Sequence, residues 1–431
     1  MSQYRAYPAY KDSGIEWIGQ VPEHWEVKPI CRVTSVNDDV LPDSTTDDTP
    51  IRYVDISSVG YMEGIKQASD MCFADAPSRA RRKASSGDVI ISTVRTYLKA
   101  VAAVTDEYAD CVFSTGFAVL RARHLDSSFL KWMVLNELLI QAIEAHSEGL
   151  SYPAINASAL VKLKSVIPPP EEQASIAATL DRETARIDAL IEKKTRFIEL
   201  MKEKRQALIT HAVTKGLDPN VKMKDSGVEW IGLVPEHWDV KPFFALVTEL
   251  NRKNVGLVET NILSLSYGNI IQKPETRNMG LTPESYETYQ IVESGETVFR
   301  FTDLQNDKHS LRSALVTQRG IITSAYMAVK PHSIDSTYFA WLMRSYDLCK
   351  VFYAMGGGLR QSLKFEDVRR LPVLIPPVDE QSAITNTINA GTARIDALVE
   401  KTEQSITLLK ERRAAFITAA VTGQIDLRGK Q

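Results

Sequence analysis

Between residues 171 and 214 the chain carries two interleaved rows of side chains, each repeating every seven residues. Leu180, Ile187, Lys194, Met201 and Leu208 form one row, and Thr184, Ile191, Ile198, Arg205 and Ala212 follow four behind. A seven-residue period keeps both rows on one stripe of an α-helix, and such a stripe needs a partner. The prolines at 168–170 cannot lie inside the helix, Glu171 and Glu172 supply the negative charge that suits its start, and Lys215, Gly216 and Pro219 end it. These 44 residues span at most about 66 Å, a rod long enough to hold two domains apart. A second pair of rows, Ile388, Ile395, Thr402, Leu409 and Phe416 with Thr392, Val399, Ile406, Arg413 and Ala420, repeats the first at a spacing of 208 residues. One such stripe would be ordinary core or dimer glue. Two matched stripes in one chain favour an internal, antiparallel pair. Arg205 and Arg413 sit in the seam, where an unpaired cation is costly, so they are expected to fix register or to reach acidic groups on another subunit.

Elsewhere the pattern is mixed. Short β-rich runs (88–93, 100–104, 113–120) precede a helical stretch at 129–146, and runs at 262–267, 314–317 and 322–329 precede one at 338–355. This predicts two compact α/β domains, with Trp132 and Trp341 on the apolar helix faces as core rather than base-stacking groups.

The chain is one module written twice. DSGIEWIGQVPEHWEVKP at 12–29 returns as DSGVEWIGLVPEHWDVKP at 225–242, identical at 15 of 18 positions. IPPPEEQ at 167–173 returns as IPPVDEQ at 375–381, and TARIDAL at 184–190 returns unchanged at 392–398. Between these echoes, over roughly 31–160 and 244–367, similarity fades. Two similar halves suggest two similar ligand sites, and the faded stretches suggest one fold carrying two different surfaces.

With 431 residues, 44% hydrophobic and 24% charged, the chain can hold two to four domains. It has no run of 18 apolar residues and no secretory start, which predicts a cytoplasmic protein without a membrane span. Cys31, Cys72, Cys111 and Cys349 are scattered without metal-ligand spacing and are expected to be buried, reduced thiols. The net charge of −3 argues against a wholly basic nucleic-acid binder, so any such contact must come from local patches.

Such patches exist. Arg79, Arg81, Arg82, Lys83, Arg95 and Lys99 stand against Asp88 alone over 78–99, Arg300, Lys308, Arg312 and Arg319 surround a polar run in the second half, and GGGLRQSLK at 356–364 follows. Any single patch could be ordinary solvated charge. Their recurrence at matching places in both halves favours binding. The stretch 34–50, with Asp38, Asp39, Asp43, Asp47 and Asp48 and no Lys or Arg, reads as an acidic loop facing solvent or a basic partner.

Enzymatic motifs are mostly missing: there is no phosphate loop, no nucleophile elbow, no HExxH and no glycine-rich dinucleotide fingerprint. Glu26-Val27-Lys28 and Asp239-Val240-Lys241 match half of a metal-dependent nuclease motif without a partner carboxylate. His24 and His237, within the repeated VPEHW, read as buried, hydrogen-bonded members of a packed turn.

DSGIEWIGQVPEHWEVKP, the IPPPEEQ helix start, TARIDALIEK and the duplicated order of variable and repeated regions closely resemble the specificity subunits of type I restriction-modification systems, over essentially the whole chain. The resemblance implies an α/β (α+β) fold of two similar recognition domains separated by two long helices in an antiparallel coiled coil with internal pseudo-twofold repeat. The expected boundaries are 1–167 and 217–374 for the target recognition domains, and 168–216 and 375–431 for the helices. It implies double-stranded DNA, two methyltransferase subunits and two motor-nuclease subunits as partners. It also implies no chemistry in this chain, S-adenosylmethionine, ATP and Mg belonging to those partners. Two unlike readers approaching one face of a duplex would sit about 34 Å, or about 10 base pairs, apart. By analogy the DNA-contacting candidates are Thr93, Arg95, Tyr97, Lys99, Ser151, Tyr152 and Asn156 in the first domain, and Arg300, Gln305, Asn306, Lys308, Arg360, Gln361 and Lys364 in the second. Arg79, Arg81, Arg82 and Lys83 are assigned to the phosphate backbone. Arg186, Asp188, Arg394 and Asp396, off the seam, are candidates for methyltransferase contact or equally solvated helix charges, with Arg205 and Arg413 beside them. The competing expectations are a protein-interaction scaffold that displays loops on a coiled coil and, more remotely, a self-sufficient nuclease.

Overall fold

The computed structural model describes residues 5–273, 285–304, 311–355 and 362–428. Two helices dominate it, Pro170–Lys215 and Val378–Val421. Pro170 takes the first helical turn, where a missing N–H costs nothing. Contacts divide the chain into two compact units, Met1–Lys194 with Gln404–Gln431, and Thr195–Glu403. Each unit thus holds the start of one long helix and the end of the other. All positions of the two sevenfold rows are buried or half-buried in both helices, while Arg182, Arg186, Lys193 and Arg394 between them are exposed.

In the first unit Leu180 shares a core with Ile417 and Val421, and Asp188 meets Arg413, so the helices run antiparallel. In the second, Ala212 and Val213 share a core with Ile384 and Ile388, Leu208 lies against Gly391, and Arg205 Nε meets Asp396 Oδ1 at 2.9 Å. The seam threonines satisfy themselves: Thr184 and Thr392 donate to the carbonyls of Leu180 and Ile388, at 2.6 and 2.8 Å.

The first unit contains a four-stranded antiparallel sheet in the order Val101–Ala103, Val89–Ser92, Phe117–Ala122 and Thr34–Val36. Beside it lies a five-stranded mixed sheet ordered Asp39–Val40, Ala80–Lys83, Val112–Ser114, Pro50–Val54 and Ser69–Cys72. The run expected at 113–120 is therefore two strands in two sheets. Gly116 makes the switch possible, because a Cβ there would lie 2.6 Å from Ile56 Cδ1. The helical stretch also divides, into Ser127–Val134 and Glu137–Ala145, because the Asn136 side chain accepts the Leu138 N–H at 3.1 Å and caps a new helix.

The second unit carries a four-stranded antiparallel sheet ordered Val247–Leu250, Met327–Pro331, Thr297–Phe299 and Ser313–Leu315. In place of the five-stranded sheet its described residues form two pairs, Leu263–Ser266 with Asn269–Gln272, and Gln290–Val292 with Gly320–Ile322, linked by a parallel bridge between Ile262 and Ile321. Its helical stretch breaks at Lys350, which has φ 61°, giving Ser336–Leu348 and Val351–Met355.

The repeated motifs make the same joint in each unit. Strands Glu26–Pro29 and Lys164–Ile167 pair in one, Asp239–Pro242 and Pro372–Ile375 in the other. Buried Glu172 accepts from Trp25 Nε1 at 3.0 Å and Tyr7 Oη at 2.9 Å, with His24 Nε2 at 2.7 Å. Glu380 does the same for Trp238 and His237, at 3.1 and 2.8 Å. The histidines are hydrogen-bonded as expected but not buried: their side chains are 41% and 45% exposed, because the indole beside each one takes the interior place. Three thiols depart from expectation too, since Cys31, Cys72 and Cys349 are exposed and only Cys111 is buried. Among the described residues no helix is long and apolar enough to cross a membrane.

Candidate nucleic-acid interface

In the first unit two loops far apart in sequence close on each other. The strand Val89–Ser92 runs into a turn in which Arg95 and Lys99 both adopt left-handed backbone, φ 52° and 49°. Thr93 anchors its start, its N–H and hydroxyl donating to the Gly116 carbonyl at 2.8 and 2.9 Å. The second loop, 147–155, is pinned by reciprocal bonds between Glu148 and Ala154, both 2.9 Å. Ile155 N–H donates to Thr93 O at 2.8 Å, and Thr96 Oγ1 donates to Ser147 Oγ at 3.0 Å, which joins the two.

This surface gathers Arg95, Tyr97, Lys99, Ser151, Tyr152 and Asn156, whereas Thr93, expected among the contacts, is buried with its hydroxyl spent on the Gly116 carbonyl. The exposed Arg95 guanidinium lies 5.2 Å from the Tyr152 ring centre, a cation–π contact. Tyr97, Tyr152 and Leu150 are 53%, 66% and 106% exposed, an uncommon cost for apolar tips unless something covers them. Asn156 is exposed and opens the short helix Ala157–Leu160 without a side-chain cap bond. Lys99 donates to Glu137 Oε1 at 2.6 Å, so its charge is shared with the scaffold. Burial would raise the Glu137 carboxyl, but Lys99 and Tyr61 outweigh it and hold it below its usual range.

The basic run before this turn is less free than the sequence suggests. Arg79 bonds Asp55 Oδ2 at 2.9 Å and Tyr53 Oη at 3.2 Å. Arg81 lies over the Phe73 ring at 4.8 Å. Arg82 is half-buried, which lowers its guanidinium's affinity for the proton, and Lys83 alone of the four is an exposed cation without an ion pair among the described residues. The acidic loop finds its basic partner in this same chain: Asp38 meets Arg123 Nη2 at 2.7 Å, and Asp39 meets Arg121 Nη1 at 2.8 Å. Those arginines stand over 80 residues away, so the sequence showed an unpaired acidic stretch where the sheet makes an ion-pair cluster.

In the second unit the corresponding turn follows Thr297–Phe299. Leu363 N–H donates to Phe301 O at 3.0 Å, matching the Ile155–Thr93 bond, and Asp303 repeats the left-handed backbone of Arg95 at φ 58°. Arg300 is half-buried and Lys364 exposed. Gln305, Asn306, Lys308, Arg360 and Gln361 lie outside the described residues. Arg312, read from the sequence as part of the surface patch, is instead wholly buried. Arg319 is paired with Glu259 Oε2 at 3.1 Å.

On the helices, Arg186 and Arg394 are exposed, while Asp188 and Asp396 are already engaged by Arg413 and Arg205 of the opposite helix. Each seam arginine thus finds its acidic group within the helix pair. The carboxylates of Glu26 and Asp239 are met by Lys28 and Lys241 on the same exposed strands.

Several residues had no signal in the sequence. Tyr61, at the tip of the hairpin joining Val59–Gly60 to Gly64–Ile65, donates to Leu135 O at 2.9 Å beside Lys99. Leu98 and Val94 are exposed within the turn.

The fold is that of two solved structures. One, from work titled as the structural basis of assembly and conformational transition of the type I R-M system, has a TM-score of 0.72 at 17% identity, covering 94% of this chain and 99% of its own. The other is the HsdS subunit of Thermoanaerobacter tengcongensis, with TM-score 0.53, 20% identity, and 94% and 98% covered. In sequence, the chain is 22% identical over 441 residues to a Methanocaldococcus jannaschii protein named as the type I restriction enzyme MjaX specificity subunit, spanning 95% of this chain and 96% of that one. It is 21% identical over 437 residues to the EcoKI specificity subunit of Escherichia coli K12, spanning 94% and 90%. No family model matches the chain. These names and folds converge on one class, and along nearly its whole length the chain resembles the specificity subunits of type I restriction-modification systems.

Proposed function

We propose that the chain is a DNA-binding specificity subunit in which each unit reads one half of a bipartite, asymmetric target, while the long helices space the readers and dock two methyltransferase subunits. Two motor-nuclease subunits complete the assembly. The chain itself performs no chemistry, and S-adenosylmethionine, ATP and Mg act on its partners. The observation that carries this reading is the surface made by the turn 93–99 and the loop 147–155, which combines a forked cation, exposed aromatics and short polar side chains on a rigid base. Arg and Asn can make two bonds to a purine edge, Lys and Ser hold phosphates, and an exposed apolar tip can meet a thymine methyl. The corresponding turn of the second unit starts with the same left-handed residue carrying another side chain, Asp303 where the first has Arg95. A shared frame with unlike tips suits two unlike half-sites. The test exchanges residues 30–165 for those of another specificity subunit and maps methylated adenines in the reconstituted complex. One half of the methylated sequence should change. A change in both halves, or in neither, would defeat the reading.

A further inference from the structure

We propose that Arg312 is the positioning residue of the second unit's recognition turn, a buried guanidinium that holds the carbonyls of Thr302 and Asp303 and so sets how that turn meets DNA. The inference rests on the DNA-reading function above and adds a residue that touches no base itself.

Arg312 is 0% exposed, among the largest wholly buried side chains of the described residues. Its Nη1 donates to Thr302 O at 3.1 Å, its Nη2 to Asp303 O at 3.3 Å, and its Nε to Tyr353 Oη at 3.2 Å. Its own backbone N–H donates to a carboxylate oxygen of Asp347, which is likewise 0% exposed. Burying a cation is expensive unless its donors are satisfied. Here the donors fall on the turn at one end and on Tyr353 at the other. The helix Ser336–Leu348, through Asp347, and the helix Val351–Met355, through Tyr353, are thereby tied to the turn.

The first unit shows what the arginine replaces. There the Ser92 N–H donates to Ala100 O at 2.8 Å, and in the second unit Arg300 N–H donates to Arg312 O at 2.8 Å, so Ala100 occupies the place of Arg312. The segment between these anchors spans 100 − 92 = 8 steps in the first unit and 312 − 300 = 12 in the second. In the shorter turn the carbonyls are satisfied locally. The Ser92 hydroxyl donates to Val94 O, and Leu98 N–H donates to Arg95 O at 2.9 Å. The second unit keeps a left-handed residue, Asp303 at φ 58°, whose carbonyl and that of Thr302 are the ones Arg312 holds. A planar fork with several fixed donors can bridge two successive carbonyls, which a lysine cannot reproduce.

The test selects duplexes from a random-sequence pool on the full-length chain and compares the parent with Arg312→Lys and Tyr353→Phe. The parent should enrich a two-part sequence. Arg312→Lys should keep one part and lose discrimination in the other by about tenfold or more, the scale of a mismatched base pair, and Tyr353→Phe should lose less, in that same part. Amide exchange at Phe301, Leu304 and Leu363 should quicken in Arg312→Lys while Thr93 and Ile155 keep their rates. Parental discrimination in both parts, or equal loss in both, overturns the proposal. If Arg312→Lys fails to fold, the confinement of the Tyr353→Phe loss to one part decides alone. If the parent enriches nothing, the DNA-reading function falls. The exchange rates then still decide the strut, and unchanged rates at Phe301 and Leu304 would sink it.

Discussion

At the scale of single residues, what matters is which charges remain available after folding. Of the cations in the run 79–83, Arg79 is held by Asp55, Arg81 lies over Phe73, and only Lys83 stands exposed without an ion pair among the described residues. Arg95 is exposed, its guanidinium 5.2 Å from the Tyr152 ring centre, and has no ion pair among the described residues. Arg95→Ala should therefore weaken binding to the selected target by about 1–3 kcal/mol and relax one base position. Lys83→Ala should weaken all duplexes alike and reduce the slope of log K against log salt by about 1. Titrations of target and unrelated duplexes at several salt concentrations check both. Identical salt slopes for the two variants would remove the distinction between reading and holding.

At the scale of elements, the helix pair is specified by two kinds of contact. The apolar rows close the seam, and the crossed ion pairs set its register: Arg413 with Asp188, Arg205 with Asp396. Because the helices repeat at 208 residues, each seam arginine engages the aspartate of the other copy's RIDAL motif. Arg413 is only 13% exposed, whereas Asp188 is 49% exposed, so losing the aspartate strands a mostly buried cation. Asp188→Asn should lower the thermal midpoint by about 2–4 °C, the shift expected for a loss of about 1 kcal/mol in a unit of this size. Arg413→Met, which removes the stranded charge as well, should restore part of that in the double variant. Strict additivity of the two single changes would show that the pair does not couple.

At the scale of the whole molecule, the repeated segments build the joints and the variable segments build the tips. Glu172 and Glu380 receive the same indole and imidazole in each unit, so both units are built on one kind of frame. With S-adenosylmethionine and duplex DNA the purified chain should transfer no methyl group, and addition of methyltransferase subunits should produce methylation at one bipartite sequence. Methyl transfer by the chain alone would contradict this division of labour.

The helices were legible before any coordinates because a sevenfold stripe and proline and glycine stops are local signals, and duplication was legible because sequence repeats need no folding to be seen. Local signals also exposed their own limits. The run 113–120 reads as one strand, yet Gly116 sends it between two sheets, and 129–146 reads as one helix, yet Asn136 caps a second. The turn 92–99 and Ser151, Tyr152 and Asn156 could be named from the sequence, but not their meeting. It depends on Thr96 reaching Ser147 and Ile155 reaching Thr93, contacts between segments some 50–60 residues apart. The fate of charges was likewise undecidable from the sequence. Arg312 reads as a surface cation and is buried, and Asp39 reads as an anion facing solvent or a basic partner and pairs with Arg121. Periodicity and repetition are properties of neighbours along the chain, and the sequence alone determined whatever they dictate. Which donors are consumed inside and which face outward depends on distant groups brought within hydrogen-bond reach, and only the tertiary structure decided that.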